Sequence, residues 1–583
     1  MANRIAGDDH SATPDNSLGS PVEDGRESQG REPNKISRIG LLLEDLLQPA
    51  WASTTVKRLL NDADVSIALV VLAEALPAPK RWDSSLRQVA EYGLVEAFEK
   101  LDKRILGRSP DPFASLDLEP LLDGIRTVAT ELHVTKDGWQ LPTEDVEEIR
   151  SVGLDAMLYF GEEGPFCGGI LSAAQHGLWL FRHGSPPPYK GARSGFWETL
   201  AREMTATAAL VAVTNEGAEE LWRSVTAAHH VSADRTRGAL YWTSTSFPER
   251  ALKRVRDGQR LRSGRGRQVT VHEHSWTRDL PTESANRRLL RYLPPCLSRA
   301  GRESMRALLG NNQWFLAFTW ADEGIVPSMA GHELIVPPKD RFWADPHVVR
   351  REDSYFVFVE EFLFSRKRGR IAVLILDKSG VIGGPMTVLE RPYHLSYPFM
   401  FEHEGDLYLV PETSEHHTIE LYRCVEFPAK WEFVRNLMQD VTALDTTLLL
   451  HAGRWWLFAS ISETEGSDSD SELFLFTSDD PVSGEWTPHP RNPIVSDACR
   501  ARPAGKIFEQ HGKLLRPSQQ TVPEYGYAVH INEILTLTDE EYIESDAACL
   551  LPDWERGLMG THTLSRAGDL TIVDGYRWRC RFA

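Results

Sequence analysis

The chain has 583 residues, of which 41% are hydrophobic and 9% aromatic, so it is long enough to form two or three domains with large cores. Its 84 acidic and 64 basic residues give a net charge of -20, which argues against nucleic acids and anionic membrane surfaces as partners. No apolar run approaches the roughly 20 residues that a membrane-spanning helix needs.

The cysteines and the first 35 residues bear on the compartment. Six scattered cysteines without a CxxC pair indicate neither a zinc knuckle nor a disulfide framework, and they fit reduced thiols in a cytoplasm. Residues 1–35 are rich in Gly, Ser, Pro and acidic residues and lack the apolar core of a signal peptide. We therefore expect a disordered tail and a cytoplasmic protein that is not secreted by the usual signal route.

Residues 36–250 alternate apolar runs with helical segments, the order that is typical of a parallel α/β sheet. The predicted strands are Ile39–Leu43, Val65–Leu72, Ala156–Phe160 and Leu178–Arg182. A short helix is predicted over Gly168–His176, with Gly177 at its end. His183 and the loop 184–191 follow the last of these strands, and ligands bind beyond the carboxyl ends of such strands.

This loop, "RHGSPPPYKGA", resembles the formyltransferase superfamily at His183, Ser185, Pro188 and Lys190-Gly191. The resemblance implies a Rossmann-like fold and makes His183 a candidate general base. It fails two residues earlier, where the family has an Asn and this chain has Phe181, which cannot hydrogen-bond a formyl oxygen. The family's later catalytic Asp has no convincing counterpart. We therefore expect a degenerate formyltransferase-like domain.

The segment 251–310 is predicted to connect this domain to the next. It contains an Arg-rich and Gly-rich stretch without apolar periodicity, 254–268, which is typical of a solvated linker or loop. A helical segment follows, and we expect "WFLAFTW" at 314–320 to form the first strand of the following domain.

Residues 311–583 repeat one pattern five times: a polar start, an apolar strand, a turn and a second strand. The turns lie at Asp353, Gly405, Gly453, Gly512 and Gly568. Their spacing of about 50 to 60 residues, with more strand-like runs in between, is typical of propeller blades with about four strands each. The repeats predict a five-bladed β-propeller.

In a propeller, the starts of the innermost strands converge on one funnel. The residues at these starts are Asp345, Tyr397, Asp445, Arg502 and His562. Two carboxylates, a cation, a phenol and an imidazole in one place predict a polar site. The alternative is that the two aspartates only cap strand entries through bonds to the backbone.

The motifs "WADPHVV" and "ALDTTLLLHAGRWWLFA" resemble the first and third blades of family 43 glycoside hydrolases. The resemblance implies that Asp345 is the base or nucleophile and that Asp445 orients the sugar and tunes the acid. The family's acid, a Glu that opens the fourth blade, is replaced by Arg502, which cannot donate a proton near neutral pH. The remaining candidates for the acid are Glu412, Glu415, Glu360 and Glu361, and we assign the role to Glu412. A phosphate or nucleotide leaving group would need no acid, and Arg502 would bind it, which favours group transfer.

The stretch from Phe342 to Phe582 also resembles the propeller-type N-terminal domain of plant glucosamine inositolphosphorylceramide transferases, through "RFWADP", "RPYHLSYPF", "PETSE", "RPAG" and "GTHT". In that family, sugar transfer is attributed to a separate nucleotide-sugar domain, for which we find no match in this sequence. The predicted substrate-binding residues are His394, Tyr397, Arg502, His562 and Glu360.

The sequence therefore predicts a carbohydrate-active enzyme that uses the propeller funnel for glycosyl hydrolysis or group transfer on a sugar or glycosylated small molecule. One alternative is a sugar-binding propeller on a degenerate scaffold, and another is formyl or acyl transfer to an amino sugar through His183. No cofactor is certain; a divalent metal in the funnel is a further alternative, calcium if oxygens dominate and zinc if His394 and His562 both bind. No pattern predicts an oligomeric state.

Overall fold

The computed structural model describes residues 37–75, 83–161, 166–184, 194–257, 284–320 and 324–581, with the backbone alone for 74, 75 and 83–91. The predicted tail, most of the loop 184–191 and most of the basic stretch 254–268 lie outside the described residues. Within the described ranges, no helix combines the length and the apolar composition needed to cross a bilayer.

The first half of the chain is an α/β domain, as predicted. Its strands are β1 (Ser37–Leu43), β2 (Leu47–Pro49), β3 (Val65–Ala75), β4 (Ser115–Asp117), β5 (Thr127–Thr135), β6 (Gly138–Gln140), β7 (Ala156–Tyr159), β8 (Leu178–His183), β9 (Thr205–Thr214) and β10 (Gly217–Ala227). Its helices are α1 (Ala50–Asn61), α2 (Asp83–Leu106), α3 (Glu119–Leu122), α4 (Thr143–Ser151), α5 (Phe196–Ala201), α6 (Ala233–Ser244) and α7 (Phe247–Arg256). All four predicted strands are confirmed.

The main sheet of this domain has the strand order β10-β9-β8-β7-β1-β3-β5-β6. Strands β8, β7, β1, β3 and β5 are parallel, and antiparallel strands flank them on both sides. The central strand β1 is buried on both faces: Ile39 and Leu41 belong to one core cluster and Leu42 to the other. Such continuous apolar runs are typical of parallel strands that are covered on both faces.

The helix predicted over Gly168–His176 is wrong in length and type, because only a short 3₁₀ helix forms over Gly168–Ser172. The residues after it form a bend and a turn, and they bond to the chain before β7. Gln175 donates its backbone N–H to Leu154, and His176 donates to Asp155. These bonds take up the amides that a longer helix would use.

The connector contains α8 (Ala285–Leu309), which packs against α2 and leads directly into the propeller. The next strands are β11 (Gly310–Trp320) and β12 (Glu333–Ile335). Blade 1 consists of β13 (Arg341–Arg351), β14 (Ser354–Leu363), β15 (Arg368–Asp377) and β16 (Gly380–Leu389). Blade 2 consists of β17 (Ser396–His403), β18 (Asp406–Thr413), β19 (Thr418–Glu426) and β20 (Lys430–Gln439).

The remaining blades complete the ring. Blade 3 consists of β21 (Ala443–His451), β22 (Arg454–Ile461), β23 (Glu472–Ser478), β24 (Thr487–Pro488) and β25 (Val495–Ser496). Blade 4 consists of β26 (Phe508–Gln510), β27 (Lys513–Gln520), β28 (Ala528–Leu537) and β29 (Tyr542–Leu550), and blade 5 of β30 (Leu564–Ala567) and β31 (Leu570–Cys580) with β11 and β12. All five predicted turns lie between the first two strands of their blade, so the five-bladed propeller is confirmed.

Blade 5 closes the ring with strands from both ends of the propeller. Strand β11 pairs with β31 along its whole length, from Gly310 opposite Cys580 to Trp320 opposite Leu570. The expectation that "WFLAFTW" is the first propeller strand is therefore confirmed. This pairing joins the two ends of the propeller by hydrogen bonds and fixes the last strand next to the first.

The α/β domain contacts blade 3 through a buried ion pair. Arg250 of α7 is 7% exposed and donates from Nη1 to Glu472 Oε1 at 2.7 Å and from Nη2 to Glu463 Oε2 at 2.6 Å. Beside it, Ala498 donates its backbone N–H to Val225 O at 2.9 Å. These contacts join the two folds through a buried guanidinium group and a backbone hydrogen bond.

We predict that Arg250→Met lowers the free energy of unfolding by about 3–5 kcal/mol, because it leaves the buried Glu472 carboxylate without its cation. Chemical denaturation of the full chain measures this change. The matched control is Arg126→Met, which breaks the exposed pair with Glu148 at 2.7 Å and should cost less than about 1 kcal/mol. Equal losses in the two variants would contradict the prediction.

Candidate functional site

The first strands of blades 1, 2 and 3 share a β-bulge at the same repeat position. The strand register shifts between Ala344 and His347, with corresponding shifts in β17 and β21. At each bulge one residue has a positive φ: 51° at Asp345, 41° at Tyr397 and 50° at Asp445. A side chain in this left-handed conformation costs about 1–2 kcal/mol, so other contacts must hold it there.

Those contacts run from blade to blade. Asp345 donates its N–H to Asp574 Oδ2 of blade 5 at 3.1 Å, and Tyr397 donates its N–H to Asp345 Oδ2 at 3.2 Å. Asp445 donates its N–H to Glu412 Oε2 of blade 2 at 3.2 Å. Each bulge amide thus binds a buried carboxylate of the preceding blade. Three of the five predicted funnel residues are brought together by this arrangement.

A first cluster surrounds His562. Its Nδ1 lies 2.6 Å from Asp574 Oδ2 and its Nε2 lies 3.5 Å from Asp345 Oδ1. Thr563 donates its hydroxyl to the same Asp345 oxygen at 3.0 Å, and the ring of Trp314 stacks on His562 at 4.0 Å. The imidazole is therefore held in place between two carboxylates and an indole.

A second cluster surrounds Asp445. Its Oδ2 accepts bonds from Arg502 Nε and from Gln519 Nε2, both at 2.6 Å. Arg502 also donates from Nη1 to Asp470 Oδ1 at 2.9 Å, and its Nη2 lies 3.6 Å from Glu412 Oε2. The guanidinium predicted to bind a substrate anion is thus surrounded by carboxylates of the protein itself.

Glu360 lies in blade 1 next to the bulge of Asp345, because it pairs with Ala344 across β13 and β14. Its carboxyl is buried, and Oε1 lies 3.4 Å from His394 Nε2. His394 Nδ1 accepts a bond from the Gly369 N–H at 2.9 Å, so the proton of the neutral ring is on Nε2, facing Glu360. The His394 side chain is 31% exposed and connects this carboxyl to the surface.

Burial raises the pKa values of three carboxyl groups in this funnel. It raises the pKa of Asp345 to about 6 and that of Asp445 to about 7, even though His562 and Arg502 act in the opposite direction. Burial and the neighbouring carboxylates raise the pKa of Glu360 well above its ordinary value. Burial alone would lower the pKa of His562, but Asp574 and Asp345 outweigh it and raise the pKa.

Two further predicted residues have structural partners. The Tyr397 hydroxyl is buried, accepts the Gly505 N–H at 2.8 Å and lies 2.8 Å from Thr447 Oγ1, so it links blades 2, 3 and 4. Both oxygens of Glu412 accept bonds, from Ser414 Oγ at 2.8 Å and from the amide of Asp445. This arrangement suits an acceptor better than the predicted proton donor.

The structure places His183 in the α/β domain, apart from the propeller residues. Its ring stacks on Tyr241 at 3.7 Å and meets Trp51 edge-on, and its Nε2 lies 2.8 Å from Ser244 Oγ. Burial lowers the pKa of His183 to about 3, so the ring is neutral near pH 7. These contacts account for the histidine as a packed residue, and a catalytic role for it stays a prediction.

One group among the described residues has the geometry for a metal ion. Asp345, His562 and Asp574 each offer one ligand atom within 4.8 Å of the others. Carboxylate oxygens and an imidazole are ligands that several divalent transition metals accept. In this structure, however, the 2.6 Å contact between His562 and Asp574 is a hydrogen bond that satisfies both groups without an ion. His394 is not a member of this group.

The sequence-based interpretation missed three contributors to the funnel: Asp574, Gln519 and Asp470. Asp574 is a polar residue inside a buried apolar run, "TIVDG", and that contrast was the available signal, since buried polar groups need partners. Gln519 lies in "KLLRPSQQ", a largely polar strand where no such contrast marks it. Asp470 lies in the loop between β22 and β23, where no periodicity marks it.

Residues 332–562 match the family model "Glucosamine inositolphosphorylceramide transferase 1, N-terminal". Glucosamine inositolphosphorylceramide transferase 1 of Oryza sativa subsp. japonica is 36% identical over 249 residues, which cover 40% of this chain and 33% of that protein. The chain thus spans about a third of the length of the curated relatives that it matches. The resemblance of the second half to these plant proteins is confirmed.

Two solved structures are similar to parts of this chain. A family 117 glycoside hydrolase produced by Zobellia galactanivorans is 10% identical, covers 46% of this chain and 90% of its own, and gives a TM-score of 0.30. Glycinamide ribonucleotide transformylase 1 from Symbiobacterium toebii is 11% identical, covers 40% of this chain and 93% of its own, and gives a TM-score of 0.26.

We predict that the free energy of unfolding falls as pH rises from about 4 to about 7, partly through Asp445. The unfolded chain releases this proton near pH 4, whereas the folded protein retains it to about pH 7. One such group contributes a slope of up to about 1.4 kcal/mol per pH unit. Asp445→Asn should make the fall shallower in denaturation curves across this range, and the half-exposed Asp406→Asn should leave it as in the wild type. An unchanged slope in Asp445→Asn would contradict this assignment.

Proposed function

We propose that the propeller funnel is the active site of a carbohydrate-active enzyme that cleaves or transfers a glycosyl group. One observation carries this proposal. The neighbouring carboxyls Glu360 and Asp345 of blade 1 are both buried, and burial raises the pKa of Glu360 well above its ordinary value and that of Asp345 to about 6. Cleavage of a glycosidic bond requires such a pair, with one carboxyl that donates a proton and one that acts as base or nucleophile.

In this mechanism Glu360 donates its proton to the oxygen of the leaving group. After the donation, Glu360 needs a new proton from the surface. His394, whose Nε2 lies 3.4 Å from the carboxyl and whose ring is partly exposed, marks the side on which solvent supplies it. This assigns the acid to blade 1 and replaces the Glu that family 43 has at the position of Arg502.

Asp345 is the base or nucleophile. The amide of Tyr397 and the hydroxyl of Thr563 fix its two oxygens, so the carboxylate cannot rotate away from the sugar. Asp445 acts through position: Arg502 and Gln519 hold its oxygen and leave the carboxyl oriented toward a sugar hydroxyl. Group transfer and hydrolysis differ only in whether an acceptor or a water completes the reaction.

The charge of the funnel suggests the substrate class. Its carboxyl groups are Asp345, Glu360, Glu412, Asp445, Asp470 and Asp574, and its cations are Arg502 and His562. An excess of buried carboxylates favours a ligand that carries positive charge. We therefore propose an amino sugar with a free ammonium group, in accord with the glucosamine in the name of the plant relatives.

A sugar-binding function without turnover is the second candidate. The observation that favours it is that Asp445 Oδ2 accepts bonds from both Arg502 and Gln519, which suits a rigid recognition site. The geometry gives less support to acyl transfer through His183, because that ring stacks on Tyr241 and is hydrogen-bonded to Ser244.

The test of the acid uses glucosaminides whose leaving groups differ in pKa. Glu360→Gln should lower turnover of an alkyl glucosaminide by about 100-fold or more and that of a dinitrophenyl glucosaminide far less, because the activated leaving group needs no proton. Asp345→Asn should abolish both reactions. Steady-state rates of the full chain measure these effects, and the exposed Glu404→Gln is the matched control.

The same assay separates the candidates. If the leaving-group dependence appears in Glu412→Gln instead of Glu360→Gln, the acid is Glu412. Saturable binding of the glucosaminides without product in a single-turnover experiment would favour the binding function and sink the catalytic proposal.

For the amino group, we predict that glucosamine binds at least about 10-fold more tightly than glucose, because a charged hydrogen bond contributes about 1.5–3 kcal/mol. N-acetylglucosamine, which lacks the charge, should bind like glucose. Isothermal titration at pH 6.5 measures the three affinities. Equal affinity for glucosamine and N-acetylglucosamine would refute the charge argument while leaving the acid assignment intact.

A further inference from the structure

A cavity of about 1030 Å³ next to the funnel is lined by residues of both folds. On the propeller side the lining includes Asp470, which binds Arg502, and Trp314, which stacks on His562. On the opposite side it includes Arg108, which follows α2, and His229 and Arg235 at the start of α6. The α/β domain therefore lies across this cavity from residues that contact the funnel.

The two arginines of the α/β wall have no carboxylate partner. Among the described residues, no carboxylate oxygen lies within 4.0 Å of the guanidinium of Arg108 or Arg235. Arg235 donates from Nε to Leu106 O at 2.7 Å, and this bond fixes the orientation of its guanidinium group. Burial lowers the pKa of Arg235, and repulsion from Arg108 lowers it further, while Asp102 and Asp234 oppose this from longer range. Two like charges are thus held near each other.

His229 adds a third donor to the same wall. Its Nδ1 accepts the backbone N–H groups of Val231 at 3.3 Å and Ser232 at 3.0 Å, so the proton of the neutral ring is on Nε2. That Nε2 lies 3.3 Å from Arg235 Nη1, which is also a donor. Two donors therefore face each other, and an acceptor between them would satisfy both.

Most acidic residues of the cavity, by contrast, have hydrogen-bond partners. Glu303 pairs with His230 at 2.6 Å, Asp468 accepts the amide of Ala227 at 3.1 Å, Asp470 binds Arg502, and Glu524 accepts the Tyr576 hydroxyl at 3.4 Å. On the α/β wall, Asp234 has no cation within 4.0 Å among the described residues, so one carboxyl stands against the guanidinium groups of Arg108 and Arg235. The balance of charge on that wall is therefore positive, whereas the funnel itself has an excess of carboxylates.

We propose that Arg108, Arg235 and His229 form an anion subsite that binds the phosphate group of a substrate whose amino sugar lies in the funnel. Two guanidinium groups and an imidazole N–H supply several donors to the oxygens of one tetrahedral anion. The substrate class is thus an amino sugar linked to a phosphate, with opposite charges at its two ends. This inference rests on the proposed function for the sugar end, while the anion subsite is testable without it.

The first experiment titrates inorganic phosphate into the full-length protein by calorimetry. The wild type should bind phosphate, and Arg108→Gln/Arg235→Gln should lose at least about 10-fold in affinity, since each charged bond contributes about 1.5–3 kcal/mol. Arg223→Gln, which removes an arginine of β10 outside the cavity, is the matched control and should bind as the wild type does. If the double variant does not fold, the exposed Arg108→Gln is measured alone, with the same expected direction.

The second experiment compares glucosamine 1-phosphate with glucosamine. In the wild type the phosphate should add at least about 10-fold in affinity, and the double variant should bind the two ligands equally. Absence of phosphate binding to the wild type, or equal phosphate binding by the wild type and the double variant, would overturn the anion subsite. Loss of glucosamine binding or of turnover would bear only on the funnel, so failures of the two proposals are distinguishable.

Discussion

The funnel depends on three backbone amides that are held in a left-handed conformation and donate to buried carboxylates of the preceding blade. The amides belong to Asp345, Tyr397 and Asp445, and the acceptors are Asp574, Asp345 and Glu412. The conformation costs about 1–2 kcal/mol at each position, and bonds to a charged acceptor offset it. The same bonds that join blade to blade therefore also place the carboxylates. The ring and the site therefore depend on the same three hydrogen bonds.

This arrangement explains the electrostatics of the funnel. Carboxylates that must accept backbone bonds at the axis are removed from water, and only two cations, Arg502 and His562, balance them in the funnel described above. Desolvation then raises the pKa values of Asp345 and Asp445 toward neutrality. Groups that titrate near pH 7 are useful for proton transfer, but their burial lowers stability. The raised values are thus a consequence of the ring geometry that a catalytic site can use.

Periodicity and repetition in the sequence predicted the blades and the position of two site residues. The turns at intervals of about 50 residues gave the blades, and the register of the repeats placed Asp345 and Asp445 at one axis. The sequence did not predict Asp574, because the closing strand carries its carboxylate at a different offset from the turn. The helix predicted over Gly168–His176 was too long, because the bonds of Gln175 and His176 to Leu154 and Asp155 outweigh local preference. The sequence could not predict the α/β wall of the cavity, since no local pattern shows which surfaces of two domains meet.

One short segment explains why both folds bear on one site. In residues 468–472 of blade 3, every second residue is acidic. Asp468 accepts a hydrogen bond from the amide of Ala227, Asp470 accepts one from Arg502, and Glu472 pairs with Arg250. The first and third contacts belong to the α/β domain, and the second belongs to the funnel. A displacement of the α/β domain would therefore pull on the segment that holds the funnel's guanidinium. The two domains are therefore joined at the segment whose Asp470 binds Arg502. This connection fixes the wall that carries Arg235 relative to the carboxylates of the funnel.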